Sequence, residues 1–312
     1  LLGDIVGVSV GDLFMGAVIP GMLLVGFQEG AAKRARTAVH AALGTKLVHN
    51  FGLIPVDVVR VDAKADVRTV AESYLSMPGV AYAEPNYTVE AFATPNDPRF
   101  PELWGLNNTG QTGGVRDADI DAPEAWNMTT GARSVIVGVI DTGVDYNHED
   151  LAANMWTNEA EFNGAPGVDD DGNGIVDDLY GAKWNNGDGT VTSGDPFDND
   201  GHGSHCAGTI GGVANNGVGV AGVAWNVRIM ALKFLDGTGH GETADAISAL
   251  EYAVAKGATL TSNSWGGGSF SQALSDGIAA AGAAGQLFVA AAGNNYGNDN
   301  DTNPVYPSSY DA

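Results

Sequence analysis

The 312-residue chain has a single cysteine, Cys206. One thiol excludes an intrachain disulfide and a thiolate-built zinc cage. It leaves the compartment open, because a domain of this size buries enough apolar surface to do without disulfides. Basic residues are scarce too: 14 Lys and Arg face 38 Asp and Glu, a formal net charge of -24. Such a surface repels nucleic-acid phosphates and anionic lipid, so neither is expected as a partner. Long apolar runs are missing as well. The uncharged stretch Leu13–Gln28 is broken by Pro20 and several glycines, and it falls short of the ~18 residues that suggest a membrane span.

Two things are plentiful. Hydrophobic residues make up 44% of the chain, enough for a sizeable core and too many for a disordered acidic tail. Glycine accounts for 45 residues, about twice the ~7% average, which points to tight turns and close backbone approaches. Residue 1 is Leu, and Tyr310-Asp311-Ala312 has no capping element. We expect a piece of a longer chain.

Charge divides the sequence. Residues 1–92 hold 9 acids and 7 bases, residues 93–312 hold 29 acids and 7 bases. Between them Ala93-Thr94-Pro95-Asn96-Asp97-Pro98 is rich in turn formers and reads as a linker. The expected organisation is an incomplete leader over 1–21, a small domain over 22–92 and a large one over 93–312. Strand patterns at Met22–Phe27, Lys46–His49, Ile54–Val61 and Gly79–Glu90 enclose helical ones at Gly30–Leu43 and Asp66–Ser76. Asp66 supplies the cap of the second helix. This βαββαβ order predicts a small ferredoxin-like α+β domain.

The large part alternates more regularly. The apolar segment Ser134–Ile140 reads as a strand covered on both faces. A helix from near Gly203 follows, then strand Val227–Phe234, helix Glu242–Lys256, strand Thr259–Ser264, helix Ser271–Ala281 and strand Leu287–Ala292. Such alternation predicts a parallel α/β sheet with right-handed crossovers and its chemistry at the carboxyl ends of the strands.

Four segments fall at those ends. Asp141 closes the first strand in Val139-Ile140-Asp141-Thr142-Gly143. A carboxylate there suits a residue that orients and charge-stabilises a histidine, or equally a turn or helix-cap aspartate. His202 lies between Gly201 and Gly203, which leave the imidazole edge open for general-base work. His205 is read as a packed neighbour rather than half of a metal pair, and Cys206 as a small buried hydrophobe rather than a nucleophile. Asn294 follows Ala291-Ala292-Gly293; its amide suits a developing oxyanion or, on its own, a turn. Ser264-Trp265-Gly266-Gly267-Gly268 offers a bare strand edge to an extended peptide, or a flexible loop.

Taken together these segments closely resemble the subtilisin-like serine protease family, the subtilases. Val-Ile-Asp-Thr-Gly matches its aspartate motif, His202-Gly203-Ser204-His205-Cys206-Ala207-Gly208-Thr209 its histidine motif, Ser264-Trp265-Gly266-Gly267 its substrate-binding strand, and Ala291-Ala292-Gly293-Asn294 its oxyanion segment. Residues 22–92, ending in Ala83-Glu84-Pro85-Asn86-Tyr87, look like the family's inhibitory propeptide. The resemblance implies a secreted zymogen that hydrolyses protein or peptide substrates with an Asp-His-Ser triad. Asp141 and His202 would be catalytic, Asn294 would serve the oxyanion, and Ser264, Trp265, Gly266 and Gly267 would bind substrate. The family's nucleophile sits in Gly-Thr-Ser-x-Ala-x-Pro. Here Gly-Thr at 44, 189, 208 and 237 is followed by Lys46, Val191, Ile210 and Gly239. Tyr306-Pro307-Ser308-Ser309-Tyr310 resembles a segment that precedes the nucleophile, and neither serine is assigned its role. These 312 residues by themselves are therefore expected to be inactive. The competing expectation is a calcium-dependent peptide-binding pseudoprotease without catalysis.

From 141 to 200 the sequence carries 15 acids and one base, Lys183. Repulsion of that size calls for cations. Within it, Asp169-Asp170-Asp171-Gly172-Asn173-Gly174-Ile175-Val176-Asp177-Asp178 resembles a calcium-binding EF-type loop. Asp169, Asp171 and Asn173 would ligate by side chain, Ile175 by its carbonyl, and Asp177 directly or through water. Position twelve is Tyr180 rather than glutamate, so a remote carboxylate or water must complete the shell. The plain alternative is a solvated acidic turn.

Overall fold

The computed structural model describes residues 18–88, 93–294 and 297–311. The chain divides into two compact units, residues 1–91 and 92–312.

The small unit runs β1 (Val18–Phe27), α1 (Lys33–Ala42), β2 (Lys46–Asn50), β3 (Val56–Arg60), α2 (Val67–Leu75) and β4 (Val80–Tyr87). Its antiparallel sheet has the order β2-β3-β1-β4, with the first and third strands central, as the split βαβ arrangement requires. Leu23 and Val25 of β1 pack with Val59, Ala71, Tyr74 and Ala83 in its core. Asp66 caps α2 as expected, accepting the Arg68 N–H at 3.0 Å. β1 begins at Val18, within the stretch expected as leader; residues 1–17 lie outside the described residues. Pro20 and Gly21 sit where the register with β4 slips between Val18 and Leu23. An irregularity of this kind accommodates residues that read as strand breakers.

The large unit holds α3 (Ala122–Trp126), β5 (Ile136–Asp141), α4 (Glu159–Phe162), β6 (Gly181–Lys183), α5 (His202–Gly211), β7 (Arg228–Lys233), α6 (Thr243–Ala255), β8 (Leu260–Asn263), α7 (Gln272–Ala283) and β9 (Leu287–Ala290). Five parallel strands lie in the order β6-β7-β5-β8-β9. Short α3, α4 and β6 escape the periodicity because they are too brief to display it. On β5, Ile136 and Ile140 face a core shared with Leu250 of α6 and Ile278 of α7. Val137 and Val139 face the opposite core with Ala207 of α5. Every β5 residue is buried, which is why its sequence is continuous apolar instead of alternating. The strand order reverses about β5, and the crevice at the carboxyl end of such a strand is where ligands gather in open α/β sheets.

Candidate active site

Asp141 is the last residue of β5 and His202 the first of α5. Their approach depends on two glycines. Gly201 precedes the helix at φ 110, a conformation that favours glycine. A Cβ on Gly203 would lie 2.1 Å from the Gly143 carbonyl oxygen, so only glycine lets the helix start abut the strand end. With that approach open, His202 Nδ1 reaches Asp141 Oδ1 at 2.7 Å. The same oxygen accepts the Thr142 N–H at 2.7 Å. The carboxylate is dry while the imidazole is reachable: their side chains are 0% and 49% exposed. The hydrogen bond to Asp141 holds the His202 imidazolium above the ordinary histidine range; burial opposes this, and the charges of Asp141, Asp200 and Asp198 add to it. With Nδ1 committed to Asp141, Nε2 is the nitrogen left to exchange a proton.

The turn after Asp141 is anchored from below by Lys233, the last residue of β7. Its buried ammonium donates to the Thr142 carbonyl, to Asn199 Oδ1 at 2.8 Å and to the Leu235 carbonyl at 2.9 Å. Burial pulls this ammonium down from its ordinary pKa, with Asp198 opposing.

A family model described as the subtilase family matches residues 132–312, more than half of the sequence. The chain belongs to the subtilase family. A second family model, the fervidolysin N-terminal prodomain, matches residues 15–86. Subtilisin-like protease 1 of Plasmodium berghei (strain Anka) is 34% identical over 181 residues, 58% of this chain and 29% of that protein. The thermophilic serine proteinase of Bacillus sp. (strain AK1) is 31% identical over 283 residues, 90% of this chain and 60% of that one. The crystal structure of fervidolysin from Fervidobacterium pennivorans aligns with a TM-score of 0.45 at 23% identity, covering 90% of this chain and 41% of that chain. The chain thus spans less than two thirds of each of these relatives.

The other residues singled out from this subtilase's sequence lie apart from that bond or beside it. Cys206 is half-buried, with its sulfur within 4.8 Å of both Asp141 and His202 ligand atoms. Burial pushes its thiol up, and a hydrogen bond with Ser264 opposes that. His205 corrects the sequence reading: it is exposed rather than packed. Ser264 and Trp265 directly follow β8 and are half-buried. The Trp265 ring lies 4.9 Å from Phe234. Gly266 is exposed, whereas the Gly267 N–H donates to the Tyr306 carbonyl at 2.9 Å. Asn294 is exposed beyond the end of β9. Ser308 donates to the Val305 carbonyl at 2.8 Å and the Ser309 hydroxyl accepts the Val305 N–H at 3.1 Å. Both serines are thus tied into their own turn.

The acidic loop folds mostly onto its own amides. Asp169 accepts the N–H groups of Gly172, Asn173 and Gly174 at 2.8, 3.1 and 2.8 Å. Asn173 accepts the Ile175 N–H at 2.7 Å, and Asp177 accepts that of Gly167 at 2.9 Å. Of the five residues singled out by the loop pattern, Asp171 alone joins a group of carboxylates, with Glu161 and Asp178, whose oxygens lie within 4.8 Å of one another. Lys256 pairs with Asp171 and lies 3.6 Å from Asp178. Glu161, Asp178 and Lys256 were not legible as partners. Nothing local separates Glu161 and Asp178 from the other acids, and Lys256 arrives from the end of α6. An all-oxygen, hard donor set that already attracts an ammonium fits a hard divalent cation.

Proposed function

We propose that this subtilase is a secreted, calcium-stabilised serine endopeptidase whose nucleophile comes from a Gly-Thr-Ser segment absent from these 312 residues. The observation that carries the reading is the 2.7 Å bond between a fully buried Asp141 and a half-exposed His202 at the end of a parallel strand. In this reading the serine oxygen attacks the scissile carbonyl while His202 Nε2 takes its proton, later delivered to the leaving amine. Asp141 fixes the tautomer through Nδ1 and stabilises the imidazolium. Asn294, with backbone N–H groups, receives the tetrahedral oxyanion. The exposed backbone around Gly266, with Ser264, Trp265 and Gly267, pairs with an extended substrate by strand addition.

Residues 22–92 act as the inhibitory prodomain of a peptidase domain over 93–312. Calcium is held at the acidic loop by Asp171 with the remote carboxylates Glu161 and Asp178; its contribution there is to offset charge. Asp169, Asn173 and Asp177, the other side-chain ligands of the loop pattern, join with the Ile175 carbonyl only by exchanging their present bonds for the ion. Secretion fits the family resemblance, and no helix among the described residues is long and apolar enough to cross a membrane.

The 312 residues alone give no peptide hydrolysis. The test extends the sequence with a Gly-Thr-Ser-x-Ala-x-Pro segment and its following helix and assays a fluorogenic peptide. Turnover blocked by a serine-directed reagent and reduced about 10⁶-fold in H202A supports the reading. Turnover by the unextended chain, or indifference to H202A, overturns it.

A further inference from the structure

One carboxylate outside the Asp141–His202 pair touches both elements that create it. Asp198 is 7% exposed, in the segment just before α5. Its Oδ1 accepts the Thr142 hydroxyl at 2.9 Å and the N–H groups of Asp200 and Gly201 at 3.0 Å each. Its Oδ2 accepts Ser204 twice, from the N–H at 2.9 Å and from the hydroxyl at 2.6 Å. Thr142 Oγ1 in turn accepts the Gly203 N–H at 2.9 Å, and Ser204 Oγ accepts the Asp145 N–H at 2.8 Å.

The arrangement follows from the glycine at 201. The first N–H groups of a helix have no partner within it, and a glycine cap has no side chain to offer. Here they are satisfied from outside, by Asp198 at Ser204 and by Thr142 at Gly203. Asp198 also grips Thr142, the residue joined to Asp141. A single carboxylate therefore fixes the start of the His202 helix against the end of β5, on both sides of the 2.7 Å bond. Burial pushes the Asp198 carboxyl up, but the Ser204 hydroxyl and the amides of Gly201, Asp200 and Ser204 hold it below the usual carboxylate range. It is thus an ionised acceptor at neutral pH.

We infer that Asp198 is the positioning residue of the Asp141–His202 pair: it sets imidazole orientation by bridging Thr142 to the first turn of α5. The inference deepens the proposed function and rests on that pair being the working one. It makes a distinction simple electrostatics does not. His202 faces Asp141, Asp198, Asp200 and Cys206, and removing any of the carboxylates lowers its affinity for a proton. Asp200, however, is exposed, and its carboxylate accepts the His202 N–H at 3.2 Å without touching Thr142 or Ser204. It carries the charge without the bridge.

The experiment uses the 312-residue chain, so activity is not needed. In ¹H–¹⁵N NMR of histidine-labelled protein, the low-field His202 Nδ1–H resonance and the His202 titration are followed in wild type, D198N, D200N and T142V. D198N replaces one acceptor oxygen with a donor, so either the Ser204 N–H or those of Asp200 and Gly201 lose their partner. We expect D198N to lose or strongly shift the Asp-bonded resonance, T142V to shift it less, and D200N to retain it while lowering the His202 pKa. A folded D198N that keeps the resonance, or behaves as D200N does, overturns the inference and leaves the pair intact. A wild type with no Asp-bonded resonance overturns the pair itself, and this inference with it. Should D198N not fold, T142V decides: an unchanged resonance there overturns the bridge.

Discussion

His202 and Asp141 stand 61 positions apart in sequence and 2.7 Å apart in space. The histidine's raised pKa has Asp141 as its main cause. A pKa higher in the folded than in the unfolded state gives stability that is complete below the unfolded value of ~6.5 and lost as pH rises through the folded value. NMR titration is expected to place His202 above ~6.5 and to find it lower in D141N. In urea melts across pH, the histidine's share of the decline in stability above mildly acid pH is expected to shrink in D141N. An unchanged His202 titration in D141N would show that the carboxylate does not act on the imidazole.

In the extended, active protein, N294A is expected to lower kcat about 10²–10³-fold with little change in KM, the loss seen for the family's own oxyanion donor. A change confined to KM would assign Asn294 to substrate binding instead. Because general-base work needs neutral imidazole, kcat/KM is expected to rise with pH through the His202 pKa and to shift to lower pH in D200N.

Calcium is expected to raise the melting temperature. At a concentration about 100 times Kd the stabilisation is ~2.7 kcal/mol, or roughly 5–10 °C for a unit of this size. Asp171 both ligates in this reading and pairs with Lys256, so D171N is expected to remove most of the calcium response. Equal melting in calcium and in chelator would leave the loop as a solvated turn.

Core and cap substitutions are expected to differ in size. Leu232, wholly buried between β7 and α6, is expected to cost about 2–5 kcal/mol as L232A. D66A removes a single cap on α2 and is expected to cost ~1 kcal/mol. Denaturant unfolding of the two variants measures both. A small cost for L232A would mean that the sheet relaxes into the space left behind.

Much of this was written in the chain. The βαββαβ order, the continuous apolar β5 and the regular strand–helix alternation were legible because burial on one or two faces leaves a period in the residues. The glycines around His202 pointed to an open imidazole edge, and the resemblance of the Asp141 and His202 segments to the subtilase motifs suggested the pair. Boundaries were less legible: Pro20 and Gly21 read as a break, yet the sheet absorbs them as a slip in register.

What the sequence by itself determined is which residue types stand where, since the aspartate at 141, the histidine at 202 and the asparagine at 294, with their local spacing, are fixed by order alone. Tertiary structure alone decided which of 15 acids between 141 and 200 stabilise and which repel. Asp198 became a cap because β5 and α5 meet around it, and Asp171 and Asp178, grouped with Glu161, gained a counter-ion because Lys256 follows the end of α6 beside them. The energy of a carboxylate depends on its distance to donors and charges and on the water removed around it. Both are properties of the folded chain, and neither leaves a mark on the letter D.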